Sequence, residues 1–134
     1  MKNLQLSLKS QWFEMTKAGI KTEDYREITP FWACRLLGQT QAFWAGYLGY
    51  NSKNKRCYGF KDQSSIDHIV AKCKGFKPFD INTMTLGYPK LTDTDRVVRL
   101  EHKGIDIRTG KPEWGAEPNK LYFVIMHGDI LPNK

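Results

Sequence analysis

Six ionisable side chains and a threonine crowd into the stretch from Gly19 to Glu27: Lys21, Thr22, Glu23, Asp24, Tyr25, Arg26 and Glu27. Lys21 supplies a mobile point charge and Arg26 a planar fork, the two donor types that suit phosphate or carbonyl oxygens. Asp24 can orient either cation or accept from a base amino group, as acidic side chains do with cytosine. Hydrolysis would need a water-activating base and a donor for the developing oxyanion. Lys21 serves as that base only where burial or neighbouring charge lowers its pKa, and Asp24 beside it works the other way. The competing reading is a solvated sheet edge. In an extended run, alternation puts Thr22, Asp24 and Arg26 on one face and Lys21, Glu23 and Tyr25 on the other. A shared site for Lys21 and Asp24 therefore requires the backbone near Gly19 to bend.

A second pattern lies just beyond. No acid occurs from Ile28 to Lys61, where Arg35, Lys53, Lys55, Arg56 and Lys61 interleave with Phe43, Trp44, Tyr47, Tyr50, Tyr58 and Phe60. Aromatic faces that stack on bases, at about 1 to 3 kcal/mol each, beside cations that follow a phosphate backbone are what single-stranded nucleic acid requires. Lys53, Lys55, Arg56, Tyr58 and Lys61 are the candidate surface, and Lys72, Lys74 and Lys77 extend it. Equally, Phe43, Trp44 and Tyr47 could be core and the lysines ordinary loop solvation. The net charge of +7 and pI near 9.4 favour an anionic partner.

Other chemistry is thinly represented. His68, His102 and His127 are far apart and form no metal triad. Cys34, Cys57 and Cys73 are odd in number and widely spaced, which argues for reduced thiols over a disulfide framework or a zinc site. No metal and no cofactor is expected. Glu101, Glu113 and Glu117 are the distal carboxylates open to a hydrolase, and Trp114 either stacks on a base or anchors a loop. The longest apolar run, Leu121 to Met126, is far below the roughly 18 to 20 residues of a membrane span. The alternating N-terminus lacks a secretory h-region, so a cytoplasmic address is expected.

These residues must be held by elements that the patterning outlines. Leu4, Leu6 and Leu8 alternate as a half-buried strand. Ser10 offers an N-cap for a helix carrying Trp12, Phe13 and Met15, which Gly19 ends. Thr29 and Pro30 start a second helix over about 30–37, stopped by Gly38. Residues 39–62 show no clean period and read as loop with room for a short helix. Residues 66–73 read as a strand ending at Gly75, and 82–86 as another. Val98 and Leu100 are out of phase with Ile105 and Ile107, which a hairpin or glycine bulge at Lys103-Gly104 explains. Leu121 to Met126 reads as a central strand, turned by His127-Gly128-Asp129 into Ile130-Leu131. The sum is one α+β domain over 1–134, built on a curled sheet or small barrel.

Gly19-x-Lys21-x-x-Asp24-x-Arg26 resembles the G-x-K-x-x-E-x-R signature of the ASCH domain family, a branch of the PUA-like fold. Leu6-Ser7-Leu8-Lys9 before Trp12-Phe13, Glu27-Ile28-Thr29-Pro30-Phe31-Trp32 with Arg35-Leu36, and Glu113-Trp114-Gly115-Ala116-Glu117-Pro118 leading into Tyr122-Phe123-Val124-Ile125 are similar to the family's phage and bacterial members. The likeness covers both ends of the chain and thins between Gln39 and Asn82. It implies a PUA-like small mixed β-barrel with flanking short helices, and a cleft where the signature residues Lys21, Asp24 and Arg26 gather; Trp114 is the further ligand-binding candidate. The likeness also implies RNA binding or action on nucleosides. One branch of the family resembles an amidohydrolase that deacetylates N4-acetylcytidine, with a lysine matching Lys21, a threonine matching Asp24 and a distal glutamate. Asp24 is one methylene shorter than the family's usual Glu and is closer to it than to that threonine.

The expected ligand is thus RNA or a modified nucleoside. The enzyme class keeps Lys21 and Asp24 as catalytic candidates with Glu101, Glu113 or Glu117. A basic face that binds another protein is the third class the sequence leaves open.

Overall fold

A computed structural model describes residues 2–90 and 92–132. Seven strands and four helices alternate along it. They are β1 (Asn3–Leu8), α1 (Ser10–Lys17), β2 (Glu23–Arg26), α2 (Pro30–Leu37), α3 (Gln41–Leu48), β3 (Tyr50–Asn51), β4 (Arg56–Cys57), α4 (Gln63–Lys72), β5 (Ile81–Leu86), β6 (Val97–Thr109) and β7 (Leu121–Leu131). Five strands form a curled mixed α+β half-barrel in the order β1-β5-β6-β7-β2, and β3 and β4 make a separate two-stranded hairpin. The β1–β5 pair is parallel and the other pairs are antiparallel.

Alternation sets β1: Leu4, Leu6 and Leu8 point into the core while Asn3, Gln5 and Ser7 face out. Opposite them α1, α2 and α3 supply Phe13, Leu36 and Trp44, which close over Met84, Phe123 and Ile125. The helix starts are local chemistry. Thr29 accepts from the Trp32 N–H with Pro30 in the first turn, and Thr40 accepts from the Phe43 N–H, which starts a full helix inside the expected loop. Lys9, not Ser10, is the capping residue of α1, and no side chain caps that end.

Residues 66–73 are not a strand. Residues 66–72 belong to α4 and Cys73 is its C-cap; at the other end the Asp62 carboxylate accepts from the Ser65 N–H at 2.7 Å. Ile66, Ile69, Val70 and Cys73 recur at helical spacing and turn one stripe to the core, and this period outweighs the β-branched content of the segment.

Two further corrections concern β6 and β7. Both are single long strands, so neither the Lys103-Gly104 hairpin nor the turn at 127–129 exists. The Lys103-Gly104 irregularity is instead a bulge. Pairing slips by one residue between Leu100↔Ile130 and His102↔His127, then slips back by Gly104↔Met126. The extra residues lie first on β7 and then on β6, which rotates Ile105 and Ile107 onto the face already used by Val98 and Leu100. Gly128 lies under the side chains of Lys103 and Glu101, and a Cβ there would stand 2.5 Å from Lys103 Cε, so a larger residue would displace that flexible chain.

Because the sheet curls, its edge strands β1 and β2 face one another. The Arg26 guanidinium on β2 donates to the Ser7 carbonyl on β1 at 2.9 Å and bridges the two edges of the half-barrel where backbone pairing is missing. No described helix is long and apolar enough to cross a membrane.

Candidate functional site

The seam between β1 and β2 holds a cleft of about 410 Å³. In the β2–β7 register Asp24 lies opposite Ile125 and Arg26 opposite Phe123, both core residues, so the two polar side chains point inward. Lys21 precedes the strand and escapes its alternation. Gly19 takes a left-handed φ of +77°, and the N–H groups of Ile20 and Lys21 both donate to the Met15 carbonyl, folding the chain back under α1. Lys21 therefore enters on the same side as Asp24, 2% exposed.

The three charges interlock. Asp24 Oδ2 accepts from Arg26 Nε at 2.6 Å, and its Oδ1 lies 3.4 Å from Lys21 Nζ. Lys21 Nζ also donates to the Glu23 carbonyl at 2.5 Å and stands 5.7 Å from the centre of the Tyr25 ring. Burial pulls the Lys21 pKa below 10.5; the Asp24 charge and hydrogen bond oppose this without cancelling it. With one cation on each oxygen, Asp24 orients both Lys21 and Arg26. Arg26 further lies 5.1 Å from the Trp32 ring centre, and Arg35 sits 5.6 Å from the same ring.

The walls are aromatic. Trp12, Tyr25, Trp114 and Tyr122 line the cleft with the three charges. Trp114 ends a single 3₁₀ turn, Pro112–Trp114, under the Lys111 ammonium at 4.3 Å. Gly115 follows at φ +102°, where a Cβ would meet Trp12 at 3.0 Å, so the loop can lie on that ring only without a side chain. Tyr25 is pinned at its hydroxyl by two bonds. Its hydroxyl donates to Glu23 and accepts from the Lys111 N–H, and burial, with the Glu23 bond, raises its pKa to about 12. Burial also opposes charge on Glu23, but the Arg108 and Tyr25 bonds prevail and hold its carboxyl below the usual range.

Behind the cleft runs a polar chain that the sequence did not signal. The backbone N–H of His127 donates to the carbonyl of Thr22, the residue flanked by Lys21 and then Glu23-Asp24. Asn82 Nδ2 lies 3.3 Å from the Met126 carbonyl and 2.7 Å from His127 Nδ1, and Asn82 Oδ1 lies 2.7 Å from His102 Nδ1. A carbonyl only accepts, which fixes the Asn82 amide; His127 Nδ1 then accepts, and its neutral ring carries hydrogen on Nε2. That Nε2 is the one buried side-chain nitrogen or oxygen among the described residues with no partner. Burial lowers the His127 pKa to about 4, with the nearby Asp24 charge opposing and the Lys21 charge assisting.

A second, larger groove of about 760 Å³ adjoins the seam cleft. Lys55, Arg56 and Tyr58 are on its wall, whereas Lys53 at the hairpin tip and Lys61 before α4 are exposed elsewhere. Trp44 is core and bonds the Gly38 carbonyl; Phe43 and Tyr47 are half-exposed beside it. Of the distal acids, Glu117 lines both clefts. Glu113 is exposed on the 3₁₀ turn off the wall, and Glu101 lies at the other end of the sheet, accepting from the Asp129 N–H. No group of three or more His, Cys, Asp or Glu side chains among the described residues could hold a metal. Set against protein-family models, curated proteins and solved structures, the chain matches none.

Proposed function

We propose that this chain is an ASCH-type domain of the PUA-like class that binds RNA or a modified nucleoside in the seam cleft. The observation that carries this reading is the buried Lys21 amine, held by Asp24 and the Glu23 carbonyl beside aromatic walls. A desolvated donor aimed into a ring-lined space suits the carbonyl edge of a flat base, with Trp114 or Trp12 available to stack at about 1 to 3 kcal/mol. Arg26 adds a second donor at the rim. The test follows tryptophan fluorescence while cytidine, N4-acetylcytidine and short single-stranded RNA are added. Saturable quenching that weakens about tenfold or more in Lys21→Ala is expected, the scale of one lost charged hydrogen bond. Wild-type protein that none of these ligands quenches would refute the reading.

One observation favours a second reading, the amidohydrolase. Burial moves Lys21 toward the neutral amine that a general base requires, further than the Asp24 charge restrains it. Incubation with N4-acetylcytidine and detection of cytidine decides between the two. The binding reading expects no release; release that Lys21→Ala abolishes would replace recognition by catalysis.

A further inference from the structure

The seam cleft and the larger groove share two walls, Glu27 and Glu117, and so form one continuous depression. Lys120 closes the junction, its Nζ at 2.7 Å from Glu27 Oε2 and 2.9 Å from Glu117 Oε2. Both carboxylates are largely exposed, so Glu117 can swing into solvent and leave Lys120 to another anion.

The groove beyond that junction is walled by the β3–β4 hairpin. Asn51 Oδ1 accepts from the Lys53 N–H and Asn54 Oδ1 from the Arg56 N–H, so two Asx turns shape the hairpin tip. Lys55 between them takes a left-handed φ of +57°. This tip holds Lys55 and Arg56 on the groove wall, and neither enters an ion pair among the described residues, although Glu117 feels the Arg56 charge. Tyr58 is 96% exposed, its edge against Gly49, where a Cβ would stand 2.8 Å from the ring. A bare aromatic face beside two unpaired cations is a stacking platform with phosphate partners.

We infer that the ligand is a single-stranded RNA, with one nucleotide in the seam cleft and its phosphate-linked neighbour in the groove between Arg56 and Tyr58. This rests on the nucleoside reading of the seam cleft. The linking phosphate sits at the junction and takes over Lys120 from Glu117.

The experiment titrates cytidine, the dinucleotide cytidylyl-cytidine and an oligocytidylate against wild type, Arg56→Ala, Tyr58→Ala and Glu117→Gln, all as the full chain. The dinucleotide is expected to bind about tenfold or more tighter than cytidine, the scale of one added stacked base. Arg56→Ala and Tyr58→Ala erase that gain and leave cytidine binding unchanged. Glu117→Gln strengthens dinucleotide binding, because the phosphate no longer competes for Lys120. In wild type the logarithm of affinity falls with the logarithm of salt concentration at about 0.7 per phosphate contact. Cytidine that binds while the dinucleotide gains nothing, or a gain that survives both groove substitutions, overturns this inference and leaves the seam cleft intact. Failure of every ligand removes the nucleoside reading as well. A polyglutamate peptide that displaces the oligocytidylate at equal charge concentration shows an acidic-protein surface and also overturns the inference.

Discussion

The two halves of the depression are made by opposite means. In the seam cleft the three central charges have partners before any ligand arrives. Lys21, Asp24 and Arg26 satisfy one another, Tyr25 is fixed at its hydroxyl, and the scaffold is the central β7 pairing. In the groove the cations and the open tyrosine ring stand on a two-residue-per-strand hairpin whose shape comes from asparagine side chains. Charge that is buried and paired ties its site to the fold; charge that is exposed and unpaired leaves the site free to vary. The seam residues should therefore report in stability and binding together, the groove residues in binding alone.

The sharpest way to break that contrast is Asp24→Ala. It strands a buried ammonium and a largely buried guanidinium and should cost about 3 to 5 kcal/mol in urea unfolding. Asp24→Asn keeps an acceptor and should cost less. If Asp24→Ala lowers stability by under about 1 kcal/mol, Lys21 and Arg26 reach water without help and the seam is no more integral than the groove.

Lowering the pH probes the same wall from behind. The folded His127 titrates near 4 against an ordinary 6.5, so between these values the unfolded chain binds a proton that the folded chain refuses. Stability is complete above about pH 6.5 and falls as the pH drops to 4, by roughly 3 kcal/mol at 1.36 kcal/mol per unit. Urea midpoints at pH 7, 5.5 and 4 measure this, and His127→Gln should flatten the slope. An equal slope in that variant would move the effect to other groups.

The smallest effect completes the series. Arg56→Ala and Tyr58→Ala should leave stability within about 0.5 kcal/mol of wild type, as exposed substitutions do. A larger loss would mean that the hairpin is part of the core scaffold, and the contrast between the regions would fail.

How far this arrangement could be read from the chain differs by element. The β1 alternation and the Thr29-Pro30 start of α2 are local signals, and both elements form where the sequence places them. The strand expected over 66–73 is a helix, and its signals are the i, i+3, i+4 spacing of Ile66, Ile69 and Val70 and the Asp62 cap that precedes them. Residues 97–109 declared a change of phase, but a bulge and a hairpin change phase alike; only the long partner β7 selects the bulge. At the site, alternation placed Lys21 and Asp24 apart because it assumed that the strand begins before Glu23, whereas Lys21 belongs to the return from α1. The direction of the Lys21 shift depended on burial that no local pattern supplies. His127 and Asn82 meet across forty-five positions, and nothing in either neighbourhood announces the other.

The arginines at the seam have a consequence for encounters between copies of the chain. β1 is an outer strand, and its Gln5 and Ser7 carbonyls lie on the side that has no neighbouring strand. Each already accepts from a guanidinium, Gln5 from Arg35 at 3.2 Å and Ser7 from Arg26 at 2.9 Å, and the two arginines flank a single tryptophan ring, that of Trp32. A strand from a second molecule could pair there only by displacing two charged donors, one of them tied to Asp24. The side chain that bridges the half-barrel thus also withdraws its free border from strand addition, the route by which exposed sheet edges recruit further copies and aggregate.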